Sequence, residues 1–262
     1  MTTAALHVAR TGLDAQNMRM QVIANNLANV NTTGFKRDRA SFETLAYQAI
    51  TAAGAKSSDS TQYATGTSLG TGVMINGTKK IDTQGSLQTT DNALDMAIEG
   101  SGYFQIQMPD GRTGYTRDGN FSLSADGTIV NTEGYQLMPQ IQVPQDTQKI
   151  TISTDGTVSA SVNGQEAPVE LGKIEIARFS NPAGLEAIGT NLLVETASSG
   201  QPQIGAGGTD GRGNIRSGAL ESSNVNIVEE LVDMIETQRA YEVNSKMIKS
   251  TDEMMQYVNQ NI

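Results

Sequence analysis

Residues 6–35 read LHVARTGLDAQNMRMQVIANNLANVNTTGF, and this stretch decides the fold. Leu6, Leu13, Met20 and Leu27 recur every seven residues, and Ala9, Gln16, Ile23 and Val30 fall three later, all but Gln16 small or apolar. Such a pattern places a narrow apolar seam along one helix. The spacing predicts a helix over 3–33 that stops at Gly34, which can take the left-handed conformation, with Phe35 positioned to touch Val30.

The other end of the chain repeats the pattern. Asn226 followed by Glu229 has the form of a helix cap with its capping-box partner. Beyond it Ile227, Met234, Tyr241, Ile248, Met255 and Ile262 recur every seven residues, Leu231 adds to the stripe, and no Gly or Pro interrupts 226–262. At about 1.5 Å per residue this helix extends roughly 50 Å.

Between the ends the texture changes. Asp-Gly pairs at 110–111, 118–119, 126–127 and 155–156, Glu133-Gly134, and Asn-Gly pairs at 76–77 and 163–164 separate short alternating runs such as Phe104/Ile106/Met108. Short strands joined by tight turns predict an antiparallel β domain. Residues 51–70 and 198–213 are small, polar and Gly-rich, and read as extended or weakly ordered connectors. The expected fold is α+β: long N- and C-terminal helices paired as a coiled coil, with an inserted antiparallel β-rich middle domain. The expected layout is an N-terminal helix over 1–35, a connector over 36–70, the β domain over 71–220 and a C-terminal helix over 221–262.

Composition narrows the function. The 262 residues contain no Cys and a single His, His7, which disfavours thiolate metal sites and His-based triads. A formal net charge of −10 argues against nucleic acid. No run approaches the roughly 18 apolar residues of a membrane span, and the start lacks the basic-then-apolar form of a cleaved signal. Gly205–Gly211 contains Gly-x-Gly but no helix follows, and no Walker A or HExxH sequence occurs. The Asp-Gly aspartates lack calcium-loop spacing and read as turn residues. The expectation is no catalytic, metal or cofactor site.

Charge and shape point towards assembly. Residues 1–39 carry five Lys/Arg against two Asp/Glu, whereas residues 221–262 carry three against eight. Opposite charge favours pairing of the two ends, with Lys36, Arg37 and Arg39 read as bridging to the acidic C-terminal helix. A lone helix pair with seams this narrow leaves apolar surface in water. It packs either on the β domain or on copies from other chains, and the second fits the sequence better, since six of the eleven Met lie in the predicted helices over 3–33 and 226–262 and Met adapts to irregular interfaces. Asn25, Asn26, Asn29 and Asn31 are unusual in a helix. Either the helix frays there or the amides bridge neighbouring groups in a packed array, and spacing alone does not decide.

The runs IANNLANVNTTGFKRDRASFETLAYQ (23–48), IEGSGYFQIQMPDGRTGYTRDGNF (98–121) and ESSNVNIVEELVDMIETQRAYEVNSKMI (221–248) resemble signatures of the flagellar rod and hook axial proteins. Length and the 40–70 stretch resemble the distal-rod branch of that family, in which the connector is implicated in keeping the rod straight. The resemblance implies a structural, non-enzymatic subunit that polymerises into a hollow helical drive shaft transmitting torque to the hook. It implies self-assembly through Leu6, Leu13, Met20, Ile23, Asn25, Asn26, Leu27, Asn29 and Val30 of the first helix. On the second helix it implies Ile227, Leu231, Met234, Tyr241, Ile248 and Met255. The partners implied are further copies, proximal rod proteins, the hook protein, the P-ring and L-ring proteins and the flagellar type III export apparatus, with no nucleic acid and no membrane insertion. The location implied is the basal body, spanning the periplasm, reached without a cleaved signal peptide. Two alternatives stay open: a proximal rod or hook-type subunit of the same family, and a secreted β-rich carbohydrate-binding protein.

Overall fold

The computed structural model describes residues 2–52, 54, 56, 64–163 and 167–260. Along the chain, helix α1 (Thr2–Ala28) is followed by strands β1 (Asp38–Thr44), β2 (Tyr47–Thr51), β3 (Thr67–Gly70) and β4 (Val73–Lys80). Then come β5 (Leu87–Thr89), β6 (Met96–Glu99), β7 (Tyr103–Gln107), β8 (Thr113–Thr116), β9 (Phe121–Leu123), β10 (Ile129–Asn131) and β11 (Gln136–Met138). The next five are β12 (Thr147–Ile152), β13 (Thr157–Val162), β14 (Val169–Lys173), β15 (Ile176–Arg178) and β16 (Glu186–Gly189). β17 (Leu192–Val194), β18 (Gln203–Gly205), β19 (Asn214–Ser217) and β20 (Ala219–Glu221) precede helix α2 (Ile227–Gln260).

The chain divides into two units: 1–27, 38–79 and 226–262 form one, and 28–37 with 80–225 form the other. In the second, β7 is the hub of a nine-stranded sheet, pairing with β8, β11 and β15. Its alternation sends Phe104 and Ile106 into the main core with Met96, Phe121, Leu137, Ile176 and Ile215, where the Phe104 and Phe121 rings meet edge to face at 5.3 Å. Tyr103, on the opposite face of β7, joins a smaller cluster with Tyr115 and Phe179. A strand buried on both faces has little freedom to slip, because a one-residue shift would exchange the two clusters. β12, β13 and β14 form a separate antiparallel sheet.

The first unit holds both helices and two strand pairs, β1 with β4 and β2 with β3. Here the expected packing of the two end helices as a coiled coil is not found. Among the described residues most elements are strands, with one helix at each end, and the seven-residue stripe of α2 is not buried as a seam: Ile227 and Tyr241 are exposed, as is Leu231, and Met234, Ile248 and Met255 are only half-buried. The face that α2 buries runs through Glu230, Thr237 and Thr251, with Met234, Asn244, Ile248 and Met255 half-buried beside them. Four of these seven (Glu230, Thr237, Asn244 and Thr251) are polar and cannot act as apolar knobs, and the Thr237 and Thr251 hydroxyls instead donate back to the carbonyls of Asp233 (2.6 Å) and Met247 (2.8 Å). Such a face makes polar contacts and close approaches in place of knobs-into-holes packing.

Other sequence expectations also shift. Asn76-Gly77 lies within β4 and forms no turn. Within 36–70 the described residues form β1, β2 and β3, and within 198–213 they form β18. The latter loop is ordered by Arg212, whose guanidinium donates to Ala206 O, Thr209 Oγ1 and Asp210 Oδ2 in place of apolar packing. Gly164 of the Asn163-Gly164 pair, Ile262 and most of 53–63 lie outside the described residues.

Candidate assembly surface and a buried ion cluster

Among the described residues, α1 and α2 meet within the first unit at Gly12, Arg19 and Asn26. Gly12 lies so close to Asn244 that a Cβ there would stand 3.0 Å from its amide nitrogen. Arg19 Nη2 meets Asp233 Oδ1 at 3.1 Å, a half-exposed pair worth about 0–1 kcal/mol. Asn26, 2% exposed, donates from Nδ2 to both carboxylate oxygens of Glu230 at 3.3 Å. The same amide donates to Asp38 O (2.9 Å) and accepts from Asp38 N (2.8 Å), holding the start of β1 against α1. These contacts run in opposite chain directions, so the two helices lie antiparallel.

The other candidate residues are distributed as follows. Ile23 is buried, while Leu6, Leu13, Met20, Leu27, Asn29 and Val30 are half-buried and Asn25 is exposed. Met234, Ile248 and Met255 are half-buried. α1 ends at Ala28, ahead of Gly34, because Asn29 and Asn31–Thr33 are poor helix formers. Gly34 (φ 67°) belongs to the turn in which Phe35 N donates to Thr32 O. At α2, Asn226 Oδ1 accepts from Val228 N at 3.1 Å and Asn226 O accepts from Glu230 N, which is an N-cap, with Glu229 exposed two residues into the helix.

The outward face of α2 inverts the usual distribution. Val228 is 70% exposed, and Val232, Ile235 and Val243 all exceed half, while Glu230 and Thr237 on the opposite side are buried. Soluble monomers rarely expose contiguous apolar stripes of this kind; where they occur they mark contact surfaces.

The second unit contains a buried charged cluster, of which the sequence pointed only to Lys36, read as bridging to the acidic C-terminal helix over 221–262. The Glu221 side chain is fully buried. Its Oε1 accepts from Lys36 Nζ (2.6 Å) and Gly85 N (2.9 Å), and its Oε2 from Arg117 Nη1 (3.3 Å). Arg117 also donates to Ile98 O and Gly100 O and stacks over the Tyr103 ring at 5.3 Å. Burial, with the Arg117 guanidinium nearby, lowers the Lys36 pKa, against the pull of Glu221; burial and Asp82 raise that of Tyr103. Lys36 therefore finds its carboxylate in β20, ahead of α2. The available signal was the alternation Ala219-Leu220-Glu221, which puts Glu221 on the inward face with Ala219.

No group of three or more His, Cys, Asp or Glu side chains stands together as a metal site among the described residues, and no helix is long and apolar enough to cross a membrane. What the geometry defines is a protein of surfaces, with an apolar stripe on a terminal helix and one small cluster of charges buried in the scaffold.

Three family models match the chain: Flagella basal body rod protein over residues 6–36, Flagellar hook protein FlgE/F/G D1 domain over 97–160, and Flagellar basal body rod FlgEFG protein C-terminal over 216–261. The class is therefore that of flagellar rod and hook subunits. Among individual relatives, the flagellar basal-body rod protein FlgG of Buchnera aphidicola (subsp. Acyrthosiphon pisum) is 49% identical, over 98% of both chains. That of Bacillus subtilis is 40% identical over 96% of both, and the flagellar hook-basal body complex protein FlhP of the same organism is 30% identical over 96% of both. The chain belongs to the FlgG family of flagellar basal-body rod proteins. It is a structural subunit of the basal-body rod, in its distal part.

Proposed function

We propose that the chain polymerises into a hollow helical drive shaft that transmits torque to the hook. In this reading the two end helices supply the contacts between copies, and the stretch 36–70, present as β1, β2 and β3 where it is described, joins α1 to the strands that follow. The observation that carries it is the outward apolar stripe of α2, Val228, Leu231, Val232 and Ile235, which neighbouring copies would cover. Contacts that do not close on themselves generate filaments of this sort. The partners are other copies, proximal rod and hook proteins, the P-ring and L-ring proteins that surround the shaft, and the type III export apparatus that delivers subunits across the envelope without a cleaved signal peptide. Nucleic acid and membrane insertion play no part. A net charge of −10 limits adhesion of the turning surface to its bushings.

Sedimentation and electron microscopy of the purified chain at increasing concentration test this. Filaments with a central channel are expected. A chain that stays monomeric at high concentration, with both helices folded, overturns the reading.

A further inference from the structure

Three segments distant in sequence, 34–37, 81–86 and 221–224, are laced together inside the second unit. Gly34 N donates to Glu221 O (2.8 Å), Asn224 N to Phe35 O (3.4 Å), Ile81 N to Arg37 O (2.9 Å) and Ser222 N to Ser86 O (2.9 Å). Side chains reinforce the lacing. Asn224 Oδ1 accepts from Arg37 N (2.8 Å), its Nδ2 donates to Ile81 O (2.8 Å) and Thr83 O (3.0 Å), and Lys36 Nζ donates to Thr83 O (2.8 Å). At the centre is Glu221, with Lys36 and Gly85 on one oxygen and Arg117 on the other.

The position of the lacing is informative. The chain passes between its two units after residues 27, 37, 79 and 225, and each laced segment adjoins one of the last three passages. An apolar contact holding these segments would be as stable or more so, because burying charge is costly. It would, however, tolerate sliding, whereas a carboxylate whose donors come from three separate segments accepts one register only.

We propose that the Lys36–Glu221–Arg117 cluster is a positioning device: it locks the three passing segments in one register, so that the chain ends leave the β unit at a fixed spacing, as subunit joining requires. The second half of this rests on the assembly reading above.

Amide exchange on the full-length chain, followed by NMR, tests the lock directly, and filament formation tests its purpose. In Glu221→Gln the amides of Gly34, Ile81, Arg37 and Asn224 are expected to exchange at least tenfold faster, while those of Phe104 and Ile106 in β7 keep their rates. Filaments should be lost or irregular. Asn224→Ala, which buries no unpaired charge, is expected to act in the same direction and serves if Glu221→Gln fails to fold. Equal acceleration in β7 would make the cluster an ordinary core element and overturn the proposal, as would unchanged exchange at the laced amides in both variants. Opened lacing with normal filaments would overturn the positioning role. If the unsubstituted chain forms no filaments, the assembly reading fails, and the exchange rates alone decide whether the lock exists.

Discussion

Asn26 is a small side chain that ties three elements together: α1, on which it sits, the first residue of β1 and Glu230 of α2. Asn26→Ala is expected to cost about 1–3 kcal/mol, seen as a lower denaturant midpoint for the helical unit. The sequence marked the asparagine run as unusual but not where its amides go. The partners of Asn26 lie 12 and 204 positions away, and no local spacing encodes a contact of that range. At the surface, Asp155 behaves more simply. Hydrogen bonds from Lys173 and Thr157 hold its carboxyl at about 2, below the ordinary 3.8. A depressed carboxyl stabilises the fold above its ordinary value, and that contribution disappears as pH falls towards 2. An NMR titration should place the Asp155 midpoint there, and Lys173→Met should return it towards the usual range.

At the scale of elements, the existence and type of the two helices were legible because long periodic segments with marked ends are the strongest sequence signal. Their mode of packing was not. A seven-residue recurrence identifies a stripe without saying which side of the helix faces its own chain, and in α2 the buried side carries Glu230, Thr237 and Thr251. Leu231→Ser combined with Ile235→Ser is expected to leave the far-ultraviolet circular dichroism of the monomer unchanged and to abolish filaments in sedimentation. Asn226→Ala, by contrast, acts on the helix itself. Loss of the cap bond to Val228 should cost about 1 kcal/mol and reduce helix content on mild heating. The strands were readable wherever alternation was clean, as at Phe104 and Ile106, and unreadable where polar loops are ordered by a single arginine such as Arg212.

For the molecule as a whole, one buried hub carries the β unit. Phe104→Ala is expected to lower its stability by about 3–5 kcal/mol, measured as a shift in the thermal transition, because the ring packs on Phe121 inside a fully buried cluster. Of the charged cluster around Glu221 only a bridge from Lys36 to the acidic C-terminal end was legible, for the opposite reason. Its members are polar residues 36, 117 and 221, which composition assigns to the surface and only the fold brings inside.

Gly34 sits with φ 67° against the Arg117–Asp118 peptide, where a Cβ would come within 2.6 Å of backbone atoms. Only a residue without a side chain fits that notch. Because Gly34 N also donates to Glu221 O, a side chain there would pry Arg117 away from the carboxylate it serves: the absence of one methyl group is what lets the buried charges meet.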